Sequence, residues 1–234
     1  MLYNIFGIKQ LQLCNTIINM KKILIITFIL SLTINTKLSA QNDNDSKDPR
    51  EDVTFGIKAG INYANVWDEQ GQDFQADPKV GFAGGVFLGL PIGKYFGFQP
   101  EILISQKGFQ GSGTLLATPY SFTRTSTYID IPLFFQMKPG EALTILAGPQ
   151  YSYLTHQKNT YTFGANSTAQ DQEFKNDNVR KNILGFVVGA DISVEHIVIS
   201  GRAGWDFQTN NGDGSSSTPR YKNRWLQFTV GFKL

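Results

Sequence analysis

Five charged residues stand where neighbours on both sides are apolar or small: Lys58, Glu101, Asp130, Asp191 and Arg202. Charges in such settings avoid apolar surroundings only by facing one another. A closed, salt-bridged interior and a polar path for ions or protons are the two chemistries that this set could support. Hydrolysis or acyl transfer would need a nucleophile, a base and an orienting acid. His156, Asp206, Ser216 and Ser217 are the residues available for it. One histidine among plentiful serines is the chance background, and His196 falls in a turn, so no catalytic residue is assigned. Two distant histidines with no nearby cysteine cannot build a zinc site, and no metal or cofactor is expected.

The elements that must position the five charges are strands. In Thr127–Met137 and Leu143–Tyr153 large apolar residues alternate with small or polar ones, and Lys138-Pro139-Gly140-Glu141 forms the turn between them. The same alternation recurs over 53–65, 79–90, 95–107, 181–193, 197–208 and 222–234. One set is uniformly greasy, as in Phe55, Ile57 and Ile61. The other holds glycines, amides and the five charges. Arms of about 11 residues exceed the ordinary globular strand and suit a tilted membrane crossing. A soluble lipocalin-like barrel would place polar residues outside and bind ligand within; here the large apolar set is too uniform and the inner set too charged.

The N-terminus carries its own pattern. Met20-Lys21-Lys22, the apolar run Ile23–Leu32 and Leu38-Ser39-Ala40 make 20–40 a signal peptide, with 1–19 an over-called start. Cleavage after Ala40 removes Lys9, Lys21, Lys22 and Lys37 and no acid. Of the 21 basic residues, 17 then remain against 19 acidic ones, a net charge of −2. The basic surplus thus belongs to the presequence and argues for no nucleic-acid partner. The one cysteine, Cys14, leaves with it. Residues 41–52, QNDNDSKDPRED, read as a disordered periplasmic lead, and 53–234 as the barrel domain.

Connections alternate long and short, which predicts an all-β, eight-stranded antiparallel up-and-down transmembrane β-barrel. Its extracellular loops would be 66–78, 108–122, 156–180 and 209–221. Both termini would face the periplasm. The chain ends inside its last strand with Phe228, Val230, Phe232 and Leu234 on the apolar side, which resembles the signal that the barrel-assembly machinery reads.

Phe55-Gly56-Ile57-Lys58-Ala59-Gly60-Ile61-Asn62, Tyr128-Ile129-Asp130-Ile131-Pro132-Leu133 and Ala147-Gly148-Pro149-Gln150-Tyr151 resemble the PorT-like outer-membrane β-barrels of the Bacteroidetes. The resemblance runs from Val53 to Leu234. It implies an OmpA-like shape and the outer membrane of a Gram-negative cell. Its namesake's link to secretion implies envelope or secretion proteins as partners. The expected role is therefore structural or interactive, in a monomer held by outer-membrane lipid. A narrow gated pore is the alternative, ahead of a lipocalin-like barrel or a rim-site hydrolase or acyltransferase.

Overall fold

The computed structural model describes residues 48–70, 76–115, 118–164, 166–172, 180–211 and 220–234. The over-called start, the signal peptide, residues 41–47 of the polar lead, Ser216 and Ser217 lie outside them.

Nine strands follow a short 3-10 turn at Pro49–Glu51: β1 (Thr54–Gln70), β2 (Asp77–Ile92), β3 (Phe96–Leu115), β4 (Thr118–Met137), β5 (Leu143–Phe163), β6 (Asn166–Gln172), β7 (Asn182–Val194), β8 (Ile197–Asp206) and β9 (Arg220–Lys233). Every pairing is antiparallel. The order β4-β3-β2-β1-β9-β8-β7-β5 closes through β4–β5, so eight strands form a ring. The closing seam between the chain's ends runs from Gly56↔Lys233 to Trp67↔Lys222. Closure gives every ladder group a partner, a condition for strands surrounded by lipid. The ninth strand, β6, lies outside the ring and pairs only with β5.

Sidedness follows the alternation. Ile57, Phe228 and Val230 are each more than half exposed, while Lys58, Gln227 and Thr229 beside them are buried. A water-soluble binding barrel would show the reverse, so the lipocalin-like alternative is set aside. In water this apolar belt would drive aggregation; in a bilayer it faces its own solvent. Rings gather toward its two edges. Phe96 and Phe98 pack on Phe135 at 5.6 and 5.9 Å, and Phe186 packs on Trp205 at 5.8 Å.

At one end the connections are tight. Gly93 takes φ 66° between β2 and β3, a conformation that glycine reaches without cost, and Glu195 takes φ 52° in the two-residue link of β7 to β8. The lead does not stay disordered as far as Asp52. Asp48 caps the 3-10 turn and accepts from Arg50 and Lys94 at 2.7 and 2.9 Å, and Lys138 donates to the Arg50 carbonyl at 2.8 Å. These contacts fasten 48–51 against the tight-turn end.

The other end departs from the expected loops. Within 108–122, residues 108–115 belong to β3 and 118–122 to β4, and 156–180 contains the end of β5 and all of β6. Strand β1 likewise enters 66–78 as far as Gln70. The reason is solvent. Past the belt the outer face meets water instead of lipid while the inner face keeps polar side chains such as Arg124 and Asn159, so the apolar contrast that marks a lipid-facing strand disappears. The Thr, Tyr and Phe of Thr118–Thr127 and Thr155–Phe163 still favour extended pairing. A register shift between Thr127 and Tyr128 marks the change on the β4–β5 ladder, where Thr127 faces His156 and Tyr128 faces Leu154.

Candidate functional site

The interior is filled in layers. Nearest the tight turns, Arg202 on β8 grips Glu101 on β3 bidentately, Nη1 to Oε2 at 2.6 Å and Nη2 to Oε1 at 2.8 Å. Lys58 on β1 donates to Glu101 Oε1 at 2.9 Å, and Asp191 on β7 lies 3.4 Å from Arg202. Gln99 donates to Glu101 at 2.6 Å. Two cations and two anions thus cancel across the lumen, and each carboxylate meets more than one donor.

Asp130 does not join this group. Its partner is Lys107, at 3.0 Å, which also donates to Ser152. Sequence alternation had already turned Lys107 inward, but the register of β3 on β4 sets the pairing. Asp130 and Lys107 are offset by four residues along the ladder, Asp130 standing opposite Leu103 and Lys107 opposite Ser126, and the long lysine side chain reaches across that diagonal.

Between the two charged layers lies an apolar slab: Ala64, Phe134, Leu146, Val187 and Trp225, contributed by β1, β4, β5, β7 and β9 and all buried. A cation caps each aromatic face. Arg202 sits 4.6 Å above the Phe134 ring and Lys107 3.8 Å from the Trp225 ring. Buried polar side chains run beside the slab: Gln227, opposite Arg202, donates to Asn62 Oδ1 at 3.0 Å, and Asn62 donates to the Ser105 hydroxyl at 2.8 Å.

Toward the long hairpins a third arrangement appears that the sequence reading missed. Arg124, 9% exposed, donates to Asn159 Oδ1 at 2.9 Å and to the Tyr221 hydroxyl at 3.2 Å. The rings of Phe109, Phe122 and Tyr221 lie 5.5–5.9 Å from its guanidinium carbon. Among the described residues no carboxylate comes within ion-pair distance. Above it, Phe122 stacks on Tyr161 at 4.9 Å, on a wall made from the outer ends of β3, β4 and β5 with β6. The available signal was the parity of β4: Arg124 shares its face with Tyr128 and Asp130.

No catalytic set is assembled from His156 and Asp206. His156 is exposed, while Asp206 is buried on the lumen face, where its Oδ2 accepts from Asn223 at 2.6 Å. Phe228, Val230 and Phe232 line the outside of β9, and Leu234 lies just past its end, its amide donating to the Phe55 carbonyl at 2.8 Å.

Residues 39–208 match the outer membrane protein beta-barrel domain family. The chain belongs to that family. The match stops short of β9, the strand that completes the ring, yet covers every charge of the two ionic layers. Among solved structures, this outer-membrane barrel is similar to Ail, the attachment invasion locus protein of Yersinia pestis, at 11% identity over 76% of this chain and 98% of that one, with a TM-score of 0.43. OprG of Pseudomonas aeruginosa is similar at 12% identity over 79% and 97%, TM-score 0.39. The protease OmpT of Escherichia coli is similar at 8% identity over 79% and 97%, TM-score 0.30. Comparison with curated protein sequences finds no match.

Proposed function

We propose that this barrel is a non-conducting anchor in the outer membrane that holds a rigid wall of paired strands outside the cell for recognition. The apolar slab supports the first half of the reading: buried Phe134, Leu146 and Trp225 fill the lumen, and the polar side chains beside them, Gln227, Asn62 and Ser105, are hydrogen-bonded to one another. Strand length carries the second. β3, β4 and β5 run 20, 20 and 21 residues, against the ~9–11 that a tilted strand needs to cross. The excess is on the order of 25 Å along the membrane normal at ~3.3 Å per residue. The wall offers aromatic faces and amide and hydroxyl groups around a cation, a composition suited to adaptable contact. Catalysis has no assembled residues behind it. The motifs around Phe55, Asp130 and Gly148 support a PorT-like assignment within the family, with envelope or secretion proteins as partners.

Two measurements test this. In planar bilayers the purified protein should add no discrete conductance steps above the lipid background. Reproducible steps would overturn the closed reading in favour of the gated pore. The mature chain is free of cysteine, so Ser167→Cys and Gly140→Cys each introduce one label site. An impermeant maleimide should label Ser167→Cys on intact cells and spare Gly140→Cys. The opposite result would invert the barrel.

A further inference from the structure

The outward face of β9 changes character along its length. From Phe232 to Leu226 it is apolar; beyond, at every second position, stand Arg224, Lys222 and Arg220. Phe232 to Lys222 spans roughly 25 Å after tilt, the height of an outer-membrane apolar band. The row of cations therefore begins where lipid tails give way to headgroups. Register sets Arg224 between Asn65 on β1 and Trp205 on β8, and Lys222 beside Trp67, whose ring lies 5.1 Å from Nζ. Arg224 is exposed, and among the described residues it makes no ion pair or hydrogen bond.

Below the cations the wall is hollow. Ala203 and Gly204 are small, and a groove of about 630 Å³ opens among Tyr63, Trp67, Trp205 and Leu226, with Arg224 on its edge. On the lumen side the Trp225 ring takes the space that a side chain at Gly204 would need, so the outward depression is kept open by the small side chain of its neighbour Ala203. An apolar trough with aromatic sides, ending in a row of cations about 7 Å apart, is complementary to an amphiphile whose head carries phosphate. We infer that this groove is a binding site for a membrane lipid whose phosphate-bearing headgroup has a net negative charge. Its acyl chain lies along Tyr63 and Leu226, and its headgroup is held by Arg224 and Lys222.

The test is native mass spectrometry on delipidated barrel titrated with phosphatidylglycerol or phosphatidylcholine of the same chains. Phosphatidylglycerol should bind with at least about fivefold preference, the worth of one basic residue near a surface. Arg224→Gln should erase most of that preference, while Lys158→Gln, a cation on the wall away from the groove, should keep it. Heat-modifiable gel migration verifies that each variant is folded. Ala203→Leu should lower binding of both lipids by filling the trough. Equal binding of the two lipids, or an unchanged preference in Arg224→Gln, would overturn the site. Complete displacement by millimolar inorganic phosphate would also overturn it, showing a free-anion site with no role for the acyl chain.

Discussion

The tight-turn half of the barrel and the wall above it use the same extended chain to meet opposite demands. In the lower half, Lys58, Glu101, Asp191 and Arg202 cancel one another, and outside them is lipid. In the wall, Arg124 is held by rings and an amide with no counter-charge among the described residues, and outside it is water. A buried network with every charge answered resists replacement of any one member, because a stranded partner cannot be rehydrated. A cation answered only by neutral groups tolerates its own removal better and stays available to an incoming anion. The contrast separates a part built for closure from a part built for contact.

Cutting the chain at the two places should expose that contrast most. Deleting Val230–Leu234 removes the seam partners of Ile57 and Ala59 and leaves two open edges in lipid, each unsatisfied group costing several kcal/mol. Insertion should be abolished, with product in the periplasm or degraded. Deleting Gly113–Tyr120 removes three residues from β3 and their three partners from β4, beyond the belt, and should insert normally. Membrane fractionation compares the two, and normal insertion of the C-terminal deletion would refute the closed ring.

Single side chains give the next step down. Arg202→Met strands Glu101 and Asp191 and should destabilise by about 3–5 kcal/mol, read as a lower urea midpoint in detergent. Adding Glu101→Gln restores neutrality with Lys58 against Asp191 and should recover much of the loss. Arg124→Met removes a charge that no carboxylate among the described residues answers, and should cost about 1 kcal/mol or less. If Arg124→Met were as damaging as Arg202→Met, the wall would be a structural plug like the layer below it.

The difference between the halves also marks what the sequence could say. Ile129, Ile131 and Leu133 against Asp130 and Gln136 announce a strand with one greasy side, so the ring strands and their facing were legible from alternation. Thr160, Tyr161, Thr162 and Phe163 announce nothing comparable, because neither side is in lipid, and β6 was read as loop. The charges Lys58, Glu101, Asp191 and Arg202 were legible as inward groups. That Asp130 takes Lys107 instead of Lys58 or Arg202 depends on strand stagger around the ring, which alternation does not encode. Arg220, Lys222 and Arg224 were in plain view at period two, but only the register beside Trp67 and Trp205 turns them into a site.

The smallest expected effect lies below both halves, where the lead meets the barrel. The Arg50 guanidinium, then the Lys94 ammonium, holds the Asp48 carboxyl well below its usual value of 3.8. Its folded pKa is depressed, so its contribution is complete above the unfolded value, near pH 4. That contribution shrinks as pH falls toward the folded one. Asp48 is only partly buried, at the rim of the barrel, where water and salt still screen its pairs, so the gain is slight. Many carboxylates titrate in the same window, and only a difference between variants isolates it. Wild type should lose more stability between pH 5 and pH 2 than Asp48→Asn, and the two should differ by a constant amount from pH 5 to pH 8. Raising salt to 1 M should narrow the gap at neutral pH, as expected for a solvent-screened clamp, while leaving the Arg202→Met penalty nearly unchanged because that network is dry. Equal salt sensitivity of the two would mean that water reaches Glu101, and the division between a sealed half and an open half would fail at its sealed end.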